Sequence, residues 1–228
     1  MLSPIPESEL IINPDGSIYH LRLKPGQVAD TIITVGDPNR VAKVSSHFDR
    51  IDLQVSHREF VTHTGWYKNK RVSVISTGMG TDNVEIFMTE LDALFNVDFN
   101  SRLPNSSQKK LNIVRIGTSG SMQSTLPEGS ILASSKAVGL DTLMAFYSIP
   151  QGKDLPSGIT VTCPGFFGPQ GREVRLKPRI PEIFDLLGKH PFQNEAFTNF
   201  EMETAGYYAM GKMLGHEVLS MNAIVANR

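Results

Sequence analysis

One cysteine, Cys163, stands in 228 residues. A lone thiol excludes an internal disulfide and points to a reducing compartment. Net charge is almost absent too: 22 Lys and Arg against 23 Asp and Glu leave a formal −1. Such a chain has no long-range field to gather DNA, RNA or an anionic membrane, so any anion it binds must be held by a local site. No apolar run is long enough to span a bilayer. The opening residues, Met1 to Glu7, show neither a basic run nor the apolar core of a signal peptide, and a soluble cytoplasmic protein is expected. The six histidines are scattered, and no His, Cys and Asp cluster has metal-ligand spacing. There is no Ser-His-Asp set and no nucleophile elbow. Cys163, between Thr162 and Pro164, reads as a buried strand-end residue and not as a nucleophile.

What is present is ordinary globular composition, 40% hydrophobic and 20% charged, in a length that suits one large α/β domain or two small ones. Short apolar runs predict strands at Thr31–Val35, Val72–Ser76, Asn112–Ile116, Ser130–Ala133, Gly158–Thr162 and Val218–Val225. Three- and four-residue spacing of Val84, Phe87, Met88, Leu91 and Leu94 predicts a helix over Thr81–Asn96, and a similar pattern predicts one over Glu203–Leu214. The alternation argues for an α/β fold with a mostly parallel or mixed sheet. Asn100–Lys110 reads as an exposed loop. Leu140–Ser157 is short for a crossover between strands, and Arg228 directly follows a strand that wants a covering helix. The chain is therefore expected to lack a C-terminal helix and some loop residues.

Several segments could carry chemistry. Gly36-Asp37-Pro38-Asn39-Arg40 ends a strand with a glycine that lets backbone N–H groups approach an anion, and Arg40 can fork onto it; a turn with a surface Arg is the plainer reading. Ser56-His57-Arg58-Glu59-Phe60, at the start of another strand, offers Arg58 as a second anion ligand or as a solvated charge. Ser76-Thr77-Gly78-Met79-Gly80-Thr81-Asp82-Asn83 closes a strand and opens a helix, which makes either an anion or ribose cradle or a simple turn capped by Thr81 or Asp82. Arg115, inside an apolar strand beside Gly117-Thr118-Ser119-Gly120, needs an anionic partner, which phosphate or a buried carboxylate would satisfy. Phe166-Phe167-Gly168-Pro169-Gln170-Gly171-Arg172 combines aromatics that can stack on a flat base with an amide and a guanidinium matching a pyrimidine edge; a Gly/Pro loop packed by its own aromatics is the alternative. Asn199-Phe200-Glu201-Met202-Glu203-Thr204-Ala205 opens the last helix, with its carboxylates either solvated in the first turn or gripping ribose hydroxyls.

Taken in order, and ending on Val225-Ala226-Asn227-Arg228, these segments resemble the nucleoside phosphorylase family of the trimeric and hexameric type, from about His20 to Arg228. Within it the chain is similar to the uridine phosphorylase branch. Gln170 and Arg172 resemble the uracil-reading loop, and Arg228 stands where purine-cleaving members carry the Asp that protonates the purine. The resemblance implies a single α/β domain over residues 1–228, with a mixed sheet partly closed as a barrel and flanked by helices. It implies phosphate held by Gly36, Arg40, Arg115 and Thr118, with Arg58 from a neighbouring subunit. Ribose would be held by Met202 and Glu203, with His20 reaching the 5′-hydroxyl across the same interface. Phe166 would pack on the base, Gln170 and Arg172 would read its edge, and Arg228 would back that site; Gln170, Arg172, Arg228 and Glu203 form the catalytic set. No cofactor is required beyond phosphate as co-substrate. Members place a monovalent cation, potassium, near the position of Glu59 at the dimer interface; here Asn83 stands where a Ser ligand is expected. The partners implied are a nucleoside, phosphate and a second copy of the chain, with hexamers common, and neither nucleic acid nor membrane. Rival readings are a purine nucleoside phosphorylase, a nucleosidase, or a non-catalytic nucleoside sensor on the same fold.

Overall fold

The computed structural model describes residues 3–147, 160–173, 175–190 and 195–227. The chain divides into two compact units. The first takes residues up to Gly78 together with Glu85–Val114 and Leu214–Glu217; the second takes Met79–Val84, Arg115–Met213 and the residues from Val218 on.

In the first unit, β1 (Thr31–Val35) is a β-branched run and is followed by the short helix α1 (Asn39–Ser45). A meander comes next: β2 (Arg50–His57), β3 (Phe60–Tyr67) and β4 (Lys70–Ser76), antiparallel in that order, with β1 pairing parallel to β4. Val35, Val41 and Val74 form a small core that seats α1 on the sheet. The turn joining β3 and β4 has positive φ at both Lys68 and Asn69 (47° and 64°), the backbone that matches the twist of a two-residue hairpin. Arg58 opens the turn between β2 and β3 with φ 53°. The Ser56–Phe60 segment thus straddles a hairpin tip and does not merely begin a strand. β2 is not an apolar run because most of its residues are exposed. Helix α2 (Thr81–Asn96), which starts in the second unit and runs on in the first from Glu85, buries Val84, Phe87, Met88, Leu91 and Leu94. The small pair β5 (Val97–Asp98) and β6 (Leu103–Pro104) gives the expected loop Asn100–Lys110 a half-buried foothold.

Strand β7 (Asn112–Ser121) enters the second unit at Arg115. There it is joined by β8 (Ile131–Ala133), β9 (Ala137–Gly139), β10 (Thr160–Thr162), β11 (Asn199–Glu201) and β12 (Glu217–Asn227). The order is β7-β11-β10-β9, with β12 pairing β7 and β8. β10 runs parallel to β9 and β11, while β11 is antiparallel to β7, so the sheet is mixed as expected. Helices α3 (Ile183–Lys189) and α4 (Thr204–Leu214) flank these strands. Among the described residues the strand pairings form a branched path. Residues 148–159, where the short crossover was noted, lie outside the described residues, as does Arg228.

Asn199–Glu201 departs from expectation: it pairs as a strand, and the helix opens only at Thr204. The physical reason lies across the sheet. Phe200 sits opposite Gly120, and a Cβ at Gly120 would come 2.3 Å from the Phe200 ring. A glycine there leaves room for that ring where the two strands pair, and Phe184 stacks on the ring at 4.1 Å.

Candidate active site

Arg115 lies in β7 of the second unit and is 4% exposed. Its Nη2 faces two carboxylates, Glu201 at 3.1 Å and Glu203 at hydrogen-bond distance. Its Nη1 donates to Asn222 Oδ1 at 2.7 Å and to Ser220 Oγ at 3.3 Å. Within the protein, then, buried carboxylates meet the need for an anionic partner that the sequence set. Gly117 makes this possible. Residues two apart share a strand face, and a Cβ at Gly117 would sit 2.1 Å from Arg115 Nη1.

Glu201 and Glu203 are not a solvated helix start; both are buried. Glu201 accepts the N–H groups of Glu203 (2.9 Å) and Thr204 (2.9 and 3.0 Å) and the Thr162 hydroxyl (2.6 Å), so it caps α4. Glu203 Oε1 accepts the Gly80 N–H at 2.7 Å, at the opening of α2. The Gly-rich turn thus presents its backbone to a carboxylate, which the positive end of a helix favours. Burial pushes the Glu203 carboxyl up, Arg115 pulls it down and Glu201 pushes it up again; the balance leaves it above the ordinary carboxylate range. Burial works to lower the Arg115 guanidinium, but Glu201 and Glu203 outweigh it and keep it charged. Met202, between the two glutamates, is half-buried, and Thr118 is exposed on β7.

The Phe166–Arg172 loop is a turn of 3-10 helix over Gly168–Gln170 ended by Gly171 in the left-handed region. Arg172 folds back over it, donating from Nη1 to the Phe166 carbonyl at 2.6 Å and to Gln170 Oε1. Its guanidinium lies 3.9 Å from the Phe166 ring centroid and 5.9 Å from that of Phe200. Gln170 is buried, while Phe166 is 52% exposed. Phe166, Gln170 and Arg172 are therefore brought together. Gly171 is needed twice over: its φ is +70°, and a Cβ would come 2.4 Å from the Pro181 carbonyl oxygen. Gly171→Ala is expected to destabilise the protein by about 1–3 kcal/mol, whereas Gly188→Ala, with nothing within 4 Å, is expected to be neutral or slightly stabilising in its helix. Urea midpoints of the two variants check this; equal midpoints would show that the loop is not seated on Pro181. Cys163, under the same region, is fully buried, and burial pushes its thiol up to about 12. It holds no thiolate at neutral pH, in keeping with a structural residue.

In the first unit, β1 and β4 end side by side at Gly36 and Thr77-Gly78, the carboxyl edge of a parallel pair where ligands commonly bind. A Cβ on Gly36 would lie 3.2 Å from the Gly78 carbonyl and 3.3 Å from Arg40 Nη2, so the glycine keeps Arg40 close to the backbone there. A second group forms around His20. Glu90 on α2 accepts the backbone N–H of His20 (3.0 Å) and of Leu21 (2.9 Å) and contacts His20 Nδ1 at 2.7 Å. His57 Nδ1 donates to the His20 carbonyl at 2.9 Å. Tyr19 meets the His20 ring edge-on, and the exposed Arg58 lies 5.8 Å from the Tyr19 ring. His20 and Arg58 are thus brought near each other. Glu59 is tied at its carbonyl by the Ser76 hydroxyl, 2.5 Å. Among the described residues no group of three or more His, Cys, Asp or Glu is placed to hold a metal ion, and no helix is long and apolar enough to cross a membrane.

A family model described as "Phosphorylase superfamily" matches residues 30–152, more than half of the chain. The chain belongs to the phosphorylase superfamily. It is 30% identical to a uridine phosphorylase of Thermococcus kodakarensis over 94% of this chain and 79% of that protein. It is 25% identical to a DeoD-type purine nucleoside phosphorylase of Listeria welshimeri over 89% of this chain and 84% of that one. Among solved structures it resembles a Trypanosoma brucei nucleoside phosphorylase described as showing uridine phosphorylase activity, with TM-score 0.84, 27% identity and coverage of 96% and 90% of the two chains. Within this superfamily member, three buried groups escaped the sequence reading: Glu90 behind His20, and Ser220 and Asn222 behind Arg115. The one visible signal was an Asn inside the apolar run Val218–Val225.

Proposed function

We propose that the chain is a uridine phosphorylase, a pentosyltransferase that splits uridine reversibly with inorganic phosphate into uracil and ribose 1-phosphate in nucleoside salvage. The observation that carries the reading is the Gln170–Arg172 pair laid over Phe166, a flat apolar surface beside an amide and a fork of donors. The similarity to the Thermococcus and Trypanosoma proteins supports it.

In this reading Gly36, Arg40, Arg115 and Thr118 hold phosphate, and a second subunit supplies Arg58. The reading asks Arg115 to serve the phosphate while it keeps Glu203 in place. Met202 and Glu203 hold the ribose hydroxyls, and the second subunit's copy of His20 takes the 5′-hydroxyl. Phe166 packs on the base. Gln170 and Arg172 stabilise the departing uracil anion, with Arg228 behind them. As the glycosidic bond stretches, charge develops on the base and on the anomeric carbon. Positioned donors meet the first charge and phosphate meets the second, so the gain is positioning and electrostatic stabilisation. A dimer sharing its sites, further assembly to a hexamer, a potassium ion beside Glu59 at the interface and a cytoplasmic location belong to the same proposal.

The test is cleavage of uridine and inosine side by side, with and without phosphate, following free base and ribose 1-phosphate. Release of uracil only when phosphate is present is expected. Cleavage of inosine alone would move the chain to the purine branch. Release of base without phosphate would make it a nucleosidase, and binding without turnover would make it a sensor.

A further inference from the structure

Asn222 sits on the inward face of β12 with Ser220 and Ile224, all at 0–1% exposure, while Leu219 and Val225 on the other face are open. An amide in such a place is costly unless its donors and its acceptor are all met. They are met, and in one orientation. Thr160 donates its hydroxyl proton to Asn199 Oδ1 at 2.8 Å, so in its 2.7 Å contact with Ser134 it accepts and Ser134 donates. Ser134 Oγ is then left as an acceptor, and Asn222 Nδ2 donates to it at 3.4 Å and to Ser220 Oγ at 3.3 Å. The proton order of this buried chain therefore turns Asn222 Oδ1 toward Arg115 Nη1, 2.7 Å away.

The guanidinium needs that neutral acceptor. Its Nη2 is drawn to two carboxylates at once, and Gly117 lies flat beneath it. An apolar side chain at 222 would leave Nη1 only the 3.3 Å bond to Ser220. A carboxylate at 222 would make three anions compete for one cation. We infer that Asn222 is a positioning residue for ribose recognition: through Arg115 it sets the carboxylate of Glu203, which it never touches. The inference rests on the reading of Glu203 as the group that holds the ribose hydroxyls.

The readout is the ratio of kcat/KM for uridine to that for 2′-deoxyuridine. A merely structural role would lower stability and the yield of active enzyme, but it would leave this ratio alone. Asn222→Leu is expected to lower the ratio by about threefold or more, the weight of one hydrogen bond. Asn222→Asp, which keeps the shape should the leucine variant not fold, is expected to lower it as well. Glu203→Gln sets the scale and is expected to shift the ratio at least as far. If Glu203→Gln shifts the ratio and both Asn222 variants keep the wild-type value, the positioning role is refuted while the ribose reading stands. If Glu203→Gln itself leaves the ratio unchanged, the ribose reading falls, and the role of Asn222 falls with it.

Discussion

Arg115→Met is expected to cost the folded protein about 3–5 kcal/mol, because removing one partner of a buried ionic group leaves the others uncompensated. Methionine fills much of the same volume, so the loss is one of charge more than of packing. Glu201 and Glu203 would remain buried without a cation, 4% and 7% exposed. The deficit has a sign in pH. A carboxyl whose folded pKa lies above its ordinary 4.5 binds a proton more tightly when folded. Its contribution is present below that ordinary value and is lost as pH rises through the folded one. Taking away Arg115 removes the largest influence pulling Glu203 down, so the variant should lose more at pH 8 than at pH 5. Arg115 itself stays protonated across this range. Urea unfolding at the two pH values measures both effects. A loss under about 1 kcal/mol, equal at both pH values, would mean the carboxylates behave as solvated surface charges.

Arg172→Ala is expected to lower turnover of uridine on the order of 100-fold, by analogy with the loss of one oxyanion donor. The thermal midpoint should fall as well, because the buried Gln170 Oε1 loses the Arg172 donor. Arg172 is half-buried, and a cation over an aromatic ring contributes about 0.5–1 kcal/mol at such sites. Arg172→Lys is expected not to rescue turnover, since an ammonium keeps the charge but lacks the planar fork that spans Phe166 and Gln170. Steady-state kinetics on the two variants decide the matter; near-full activity in the alanine variant would remove the base site from this loop.

Those elements whose burial is written in their own residues were legible from the sequence. β1 and α2 begin and end where the apolar pattern does, at Thr31–Val35 and Thr81–Asn96. β2 escaped because its side chains are mostly exposed, and β11 because three residues become a strand only through partners at Thr160 and Gly120. The Phe166–Arg172 loop could be read because its chemistry lies within seven consecutive residues. The need of Arg115 for an anion could be read as well, since a charge in an apolar run demands one, but the protein groups that meet it could not. Two of those groups, Glu203 and Asn222, stand 88 and 107 residues away. Glu90 was hidden for the same reason, 70 residues from His20 on a helix where it passes for surface charge.

The missing Cβ at Gly117 ties the fate of two positions together. Any side chain gained at 117 first has to evict the guanidinium lying over it, and so strands the acids that depend on it. The same gain becomes harmless only once position 115 is short and position 201 or 203 has lost its charge. Change at this point of the strand is therefore path-dependent. The order of substitutions, and not only their sum, decides whether a descendant of this sequence still folds, and a lineage that keeps arginine at 115 is held to glycine at 117.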